Sequence, residues 1–472
     1  MAFLHGVEVV QVDNGAVPVT QARSGVIGLV GTAPIGAINV PTVVSSARQG
    51  ATLFGQPVTG FTIPQALKAI FDQGAGLVVV VNVFDADDSD LVLTATAETK
   101  TVANGKFTLA HAPTNSEITL TNAAADETYV AGTDYSVDAF GVVTVLNFDN
   151  IAEGASVKAT YDYLDLTGIT SALINGTDTD NERTGLQALK NVQPTYGYTP
   201  GILCVPTYCE LAAVQAEMLV LAEYLKAFAL IDVPEDTTVA EAIALRGAGE
   251  ALSTASKRAI GLYPYVKKYD IATDATVNYP QSPFFAGVMA NNDNVNGYWT
   301  SPSNKEIKGI LGVEFLLSSE LGNTSSDVNL LNAAGIVTIY NAFGQSNRTW
   351  GNSSLSYPSV TTSDHFVSVQ RTRDVLEMSV AAACIQFVDK PINGALIDAI
   401  RDTIDSFLRS LIQRGALVDG TVSFNAGDNS AEQIAAGQLT FQVDFIPPSP
   451  AERITLNTRL DISLLSALLP TV

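Results

Sequence analysis

Segments that are apolar at nearly every position, each following a helical pattern, restrict the fold of this chain most. Residues 63–73 have helical spacing of apolar side chains such as Leu67 and Ile70, and residues 77–84 then read Leu-Val-Val-Val-Val-Asn-Val-Phe. A strand that is apolar on both faces lies between two covering layers. A helix followed by such a strand therefore predicts a sheet with helices on both sides.

The same alternation resumes in the middle of the chain. Helices are predicted at 184–192, 210–225 and 238–247, and strands at 24–34, 201–206, 228–233, 259–264 and 335–340. Strands that alternate with helices are joined by right-handed crossovers and lie parallel. The predicted fold class is α/β, with a mainly parallel sheet between helix layers.

Residues 85–166 have a different composition from their surroundings. They are rich in Thr, Ala, Asp and Gly, and short alternating runs are separated by turn residues. This spacing predicts an inserted, β-sandwich-like outer domain. Asp85, Asp87, Asp88 and Asp90 open it, and we interpret them as a solvated linker, because the run lacks the glycine and distal glutamate of a calcium loop.

The last part of the chain has a third pattern. Helices are predicted at 374–387 and 391–414, followed by strands at 417–425 and 438–445, so that residues 364–446 form an α+β domain. The predicted division is an N-terminal arm (1–23), a discontinuous core domain (24–84 and 167–363), the insertion (85–166), the C-terminal domain (364–446) and a C-terminal arm (447–472).

Both ends of the chain have the pattern of a strand without a partner. The sequence Pro-Pro-Ser-Pro at 447–450 fixes an extended backbone and separates the last residues from the preceding fold. Exposed strands add to sheets of other molecules. The predicted subunit-binding residues are Val7, Val9, Val10 and Val12 in the N-terminal arm and Ile454, Leu456, Thr458, Leu460 and Ile462 in the C-terminal arm.

Composition excludes several classes of function. The formal charge of −23 argues against binding of nucleic acid, because a polyanion is repelled. We expect a cytoplasmic chain, since neither a signal peptide nor an apolar run long enough to cross a bilayer is evident. Cys204, Cys209 and Cys384 fit neither a disulfide framework nor a zinc motif, so we expect structural thiols and no metal.

The sequence contains few residues that could form an enzyme active site. A hydrolase needs a nucleophile, a base and an orienting group, and of His5, His111 and His365 the last is the plausible base. We favour a loop or domain-junction role for it. The glycines at 25, 28 and 31 do not match a dinucleotide fingerprint, so close strand packing is the better interpretation and no cofactor is expected.

The chain resembles the sheath proteins of contractile bacteriophage tails and of related phage-tail-like injection particles. The resemblance covers nearly everything outside the insertion and is most specific in the last hundred residues. It rests on residues 5–9, 25–33, 330–337, 347–352, 388–394 (Val-Asp-Lys-Pro-Ile-Asn-Gly) and 439–461.

The resemblance implies a core related in topology to subtilisin-like folds but without protease activity. It implies a C-terminal domain that faces an inner tube, which makes Arg401, Arg409 and Arg414 candidates for tube contact, with an ordinary solvated helix face as the alternative. Implied partners are further copies of the chain, the inner tail tube protein, and baseplate and tail terminator proteins. No nucleic acid and no membrane insertion are implied.

The expected function is that of a structural subunit in the virion tail, assembled in the cytoplasm of the bacterial host. Neighbours would be linked by arm exchange, and contraction from a metastable extended state would drive the tube through the host cell envelope. Two alternatives are kept open: a soluble α/β hydrolase with a surface-binding insertion, and a static tube or shell protein.

Overall fold

A computed structural model describes residues 19–463, apart from 59, 86–90, 115–117, 139, 166–167, 180–181, 271–274, 321, 342–343 and 345. The strands are β1 (Val26–Gly31), β2 (Thr42–Val44), β3 (Leu77–Asn82), β4 (Val92–Thr101), β5 (Lys106–Thr108), β6 (Thr119–Asn122), β7 (Tyr135–Val137), β8 (Val142–Val145), β9 (Ser156–Leu164), β10 (Asp178–Thr179), β11 (Glu182–Arg183), β12 (Ile202–Cys204), β13 (Phe228–Asp232), β14 (Ala259–Leu262), β15 (Val266–Asp270), β16 (Ala275–Tyr279), β17 (Gly312–Val313), β18 (Ile336–Asn341), β19 (Asn347–Trp350), β20 (Asp419–Ser423) and β21 (Gln442–Ile446). The α-helices are α1 (Ala47–Phe54), α2 (Ile63–Asp72), α3 (Ser171–Asn175), α4 (Val192–Tyr196), α5 (Ala212–Leu225), α6 (Val239–Ala244), α7 (Ser282–Asn296), α8 (Asp327–Ala333), α9 (Val367–Cys384), α10 (Gly394–Gln413) and α11 (Ala431–Ala435).

An eight-stranded mixed sheet forms the centre of the fold, in the order β19-β18-β14-β13-β12-β1-β3-β2. Its six inner strands are parallel, and the edge strands β2 and β19 are antiparallel to their neighbours. The predicted α/β class with a mainly parallel sheet is therefore confirmed. The more specific subtilisin-like topology stays a prediction.

Helices cover both faces of this sheet, as the apolar strands required. In β3, Val78 and Val80 pack with α2 and α7 on one face, whereas Val79 and Val81 pack with α5 on the other. Each of these four valines is fully buried. Alternate side chains of one strand thus belong to two separate cores, which is why the segment has no polar face.

The sequence did not reveal some of the elements around the sheet. Helix α7 was missed because it is buried on almost every side and has no amphipathic period. The small antiparallel sheet β16-β15-β17 was missed as well. Helix α9 begins at Val367, seven residues before the predicted start, and its first half packs against the central sheet. Part of the predicted helix 184–192 is a 3-10 helix, Gly185–Asn191.

The inserted segment forms two three-stranded sheets, β4-β9-β6 and β5-β8-β7. They share an apolar core that includes Leu120, Val143 and Val157. Strands β4 and β9 pair along their length from Val92↔Leu164 to Thr101↔Ser156, with one irregularity. Because this pair brings both ends of the insertion together, the chain leaves and re-enters the α/β part at nearly the same place.

Candidate assembly site

The C-terminal region presents a small sheet with open edges. Strands β20 and β21 pair with each other and, among the described residues, with no other strand. They pack on α10, whose apolar stripe includes the buried Ile404, Phe407 and Leu408. The Asn393 side chain caps α10 by accepting a hydrogen bond from the Leu396 N–H at 2.8 Å. Each strand thus has one unpaired row of backbone hydrogen-bonding groups, to which a further strand can add.

The predicted C-terminal arm follows β21 directly and lies exposed. Pro447 is buried, but every described residue after Pro450, from 451 to 463, is exposed and outside any helix or strand except for a short turn at 462–463. The exposed fractions are 77% for Ile454, 82% for Leu456, 98% for Leu460 and 79% for Ile462, and Thr458 is exposed as well. Four large apolar side chains this exposed in one short segment indicate an interaction surface.

The predicted N-terminal arm residues Val7, Val9, Val10 and Val12 lie outside the described residues. The segment that joins this arm to β1 is described, and it lies against the C-terminal region. The Ala22 N–H donates to the Ser379 hydroxyl in α9 at 2.9 Å, and Arg371 donates to the Ser24 carbonyl oxygen at 3.0 Å. These anchors were not found from the sequence, because the partners are about 350 positions apart.

The three arginines considered for tube contact lie in different surroundings. Arg401 pairs with Asp398 at 2.9 Å, and Arg409 pairs with Asp405 one turn away, so both belong to an exposed, charged face of α10. Arg414 lies just beyond the end of α10, where it donates to Gln21 Oε1 at 2.7 Å and lies over the Trp299 ring. Tube contact by these residues stays a prediction.

The carboxyl ends of the parallel strands are where an α/β enzyme would have its active site. A cavity of about 470 Å³ lies there, with Pro206, Thr207, Tyr265 and Lys268 among its walls. Beneath it, Asp232 is fully buried and accepts hydrogen bonds from the Ser282 N–H at 2.8 Å and the Ser282 hydroxyl. Burial raises the pKa of Asp232 to about 7, a shift that these hydrogen bonds oppose.

No catalytic triad is formed at this edge by the residues that the structure describes. The hydrogen-bonding partners of Asp232 are Ser282 and Cys209, not a histidine. His365 is buried in a 3-10 turn ahead of α9, with its Nδ1 3.2 Å from the Ser353 hydroxyl and its pKa lowered by burial. Its neighbour Asp364 pairs with Lys257 instead of orienting the imidazole.

Neither a cluster of metal ligands nor a helix long enough to span a bilayer is found among the described residues. Among them, no group of three or more His, Cys, Asp or Glu side chains is arranged to hold an ion. Burial raises the pKa of the thiols of Cys204, Cys209 and Cys384, which makes them poor metal ligands and nucleophiles. Of the acidic run that opens the insertion, Asp87, Asp88 and Asp90 lie outside the described part. No described helix is long and apolar enough to span a bilayer.

Comparison with known proteins identifies the family. Phage tail sheath descriptions match three parts of the chain: the tail sheath protein Gp18 domain III N-terminal region at residues 24–83, the phage tail sheath protein central domain at 181–355, and the phage tail sheath C-terminal domain at 359–461. Residues 87–177 match a family described as a protein of unknown function. The insertion is thus covered by a family match separate from the three sheath matches.

Individual relatives agree with these matches. The tail sheath protein of Burkholderia phage BcepMu is 41% identical and covers 97% of both chains, and that of Escherichia phage P2 is 24% identical over 100% of this chain and 98% of its own. The solved helical sheath of the anti-feeding prophage in its contracted state has a TM-score of 0.61 at 19% identity, covering 98% of this chain and 100% of its own. The contracted PVC sheath complex has a TM-score of 0.60, also at 19% identity, covering 98% and 99%. The chain belongs to the tail sheath protein family, the structural subunits of contractile phage tails.

Proposed function

We propose that this sheath subunit polymerises by strand exchange, with its C-terminal arm pairing to the open sheet β20–β21 of another copy. The observation that supports this most is the 451–463 segment, in which apolar side chains recur at even positions and are exposed beside a sheet with unpaired edges. An arm that paired within its own molecule would bury these side chains. The predicted N-terminal arm would pair in the same way through Val7, Val9, Val10 and Val12.

Two favourable contributions act when such an arm pairs with a neighbour. Burying one Ile or Leu side chain contributes about 2 kcal/mol, so four contribute roughly 8 kcal/mol. Each new backbone hydrogen bond adds about 1 kcal/mol net. Ordering the arm costs about 1 to 2 kcal/mol per residue, which is of the same order as the whole gain. Burial of the apolar side chains and pairing of the backbone must therefore occur together for the arm to hold a neighbour.

Contraction requires no bond chemistry in the subunit. We propose that the extended polymer is metastable and that subunits rearrange as rigid bodies to bury more surface, while the arms keep neighbours connected. The proposed partners are the inner tail tube protein, through the C-terminal region, and the baseplate and tail terminator proteins. Solved structures with a similar fold include the baseplate of the anti-feeding prophage and its helical sheath in the contracted state, which supports self-assembly and the baseplate as a partner. Assembly would take place in the host cytoplasm, with no catalytic step.

The decisive experiment compares two neighbouring positions of the arm. Leu456→Asp is expected to prevent polymer formation, because the side chain would bury a charge on the apolar face of the new strand. Asn457→Asp adds the same charge on the opposite face and is expected to leave polymers intact.

Deletion of the residues after Pro450 should abolish polymerisation and leave a folded subunit. Polymers of normal length from the truncated chain, seen by electron microscopy, would refute strand exchange by this arm.

A further inference from the structure

The segment before β1 follows the C-terminal region over several residues. Val19 packs against the apolar cluster formed by α10, β20 and β21. Ala22 and Ser24 are hydrogen-bonded to α9, through Ser379 and Arg371 respectively. We call residues 19–24 the N-terminal root. It precedes the central sheet in sequence, yet it is attached to the opposite end of the chain.

Arg414 connects this root to two other parts of the molecule. Its Nη1 donates to Gln21 Oε1 at 2.7 Å, and its guanidinium lies 5.2 Å from the centroid of the Trp299 ring. Trp299 follows α7 and packs against the C-terminal apolar cluster. A guanidinium is planar and has five donors, so it can stack on a ring and donate sideways at the same time, whereas an ammonium has no planar face to stack.

The other two arginines of this helix make no comparable connection. Arg401 and Arg409 pair with aspartates of α10 itself, within one turn. Such exposed pairs contribute little and join no separate segments. Arg414 differs from them because both of its partners come from distant parts of the chain.

The C-terminal arm is attached in another way. In the described segment 447–463, hydrogen bonds such as Glu452 N–H to Pro450 O stay within the segment. Residues 448–452 form one wall of a cavity of about 450 Å³, whose other walls include Trp299, Trp350 and Phe366. The C-terminal arm thus leaves the subunit beside an open cavity, whereas the N-terminal root is held by hydrogen bonds to α9 and by packing of Val19.

We propose that Arg414 is the positioning residue of the N-terminal arm: by holding Gln21 and stacking on Trp299, it fixes the direction in which the chain before residue 19 leaves the subunit. This inference rests on the proposed arm exchange and assigns different tasks to the two arms. The N-terminal arm is delivered in a fixed direction, and the C-terminal arm adapts to the neighbour. Arg414 is accordingly assigned to positioning of the N-terminal arm and not to contact with the tube protein.

The test replaces Arg414 by Gln and uses Arg401→Gln and Arg409→Gln as matched controls on the same helix. In the unassembled subunit, hydrogen exchange of the Ala22 amide, which donates to Ser379, is expected to become about tenfold faster in Arg414→Gln and to stay unchanged in both controls. Gln21→Ala should reproduce the effect, and the double variant should be no worse than either single one. Polymerisation without tube protein, followed by electron microscopy, should be slowed by Arg414→Gln alone.

Two results would overturn the inference. One is unchanged exchange of the Ala22 amide in Arg414→Gln; the other is faster exchange of this amide with polymerisation as rapid as in the controls. Unchanged exchange in β3 amides shows that each variant is folded. Failure of N-terminal arm exchange itself is a separate result, because it would appear as normal polymers from a chain that lacks residues 1–18, while the hydrogen-exchange measurement is made on subunits before assembly.

Discussion

Asp232 gives the fold a dependence on pH whose size can be worked out. Its carboxylate is enclosed beneath the carboxyl edge of the sheet, and burial raises its pKa from 3.8 to about 7 against the effect of the Ser282 hydrogen bonds. Because the folded form holds this proton more tightly than the unfolded chain, the group stabilises the fold at low pH. That contribution is lost as the pH rises from about 4 through about 7.

The magnitude follows from the size of the shift. Each pH unit between the unfolded and folded pKa values is worth about 1.4 kcal/mol. About two such units separate pH 5 from the folded value, so the free energy of unfolding should fall by about 3 kcal/mol between pH 5 and pH 8 on account of Asp232 alone. Asp232→Asn removes this contribution because an amide does not titrate. The substitution should be tolerated, since the amide oxygen can still accept from the Ser282 N–H and the amide nitrogen can donate to the hydroxyl.

The assay is denaturant unfolding of the unassembled subunit at both pH values. The difference in free energy of unfolding between Asp232→Asn and the parent protein should shift by about 3 kcal/mol in favour of the variant at the higher pH. Asp402→Asn, at an exposed position of α10, controls for the change in net charge. If the difference between Asp232→Asn and the parent were the same at both pH values, the carboxylate would not be the buried, proton-holding group that the geometry indicates.

Three further predictions concern stability and assembly. Arg258→Ala leaves Asp374 buried without its 2.6 Å partner and should cost about 3 to 5 kcal/mol in free energy of unfolding, whereas Arg373→Ala, at an exposed pair, should cost less than about 1 kcal/mol; denaturant unfolding that gave equal losses would contradict this. Thr207 has φ +69°, which a β-branched residue rarely adopts, so Thr207→Gly should relieve about 1 to 3 kcal/mol of strain, more than the roughly 0.5 to 1 kcal/mol that the greater freedom of glycine in the unfolded chain costs; calorimetry should show a higher melting temperature, and a lower one would show that the strain is smaller than this cost. Replacing residues 85–166 by a short linker should leave a subunit that folds and polymerises, because β4 and β9 bring the two ends together; folded subunits that fail to form polymers in electron micrographs would give the insertion a role in assembly.

Patterns with a clear period could be predicted from the sequence. The apolar run at β3 and the stripe on α10 each correspond to an observed element, since burial on both faces or on one face leaves a distinct pattern. The exposed apolar positions of the C-terminal arm were also predicted, because the prolines at 447–450 separate them from the preceding strand. Their pairing with another copy stays a prediction.

Contacts between distant segments could not be predicted in this way. Helix α7 has no amphipathic period, because it is enclosed by the sheet and by its neighbours on almost all sides. Arg414 looks like any other arginine of an exposed helix, and its connection to Gln21 depends on how the whole chain closes. The buried carboxylate of Asp232 stands at the end of an apolar strand, where the sequence indicates the strand but not the depth of its last residue.

Helix α9 connects the central sheet to the C-terminal apolar cluster. It is 18 residues long, about 27 Å, and its first half is fixed to the central sheet by the buried Arg258–Asp374 pair and by Arg371 with Asp293 in α7. Its later turns bear the apolar cluster against which α10 rests. Because these contacts hold both halves of α9, the helix is a stiff connection between the central sheet and the C-terminal cluster, and we expect the two parts to move together as one rigid body in the proposed rearrangement.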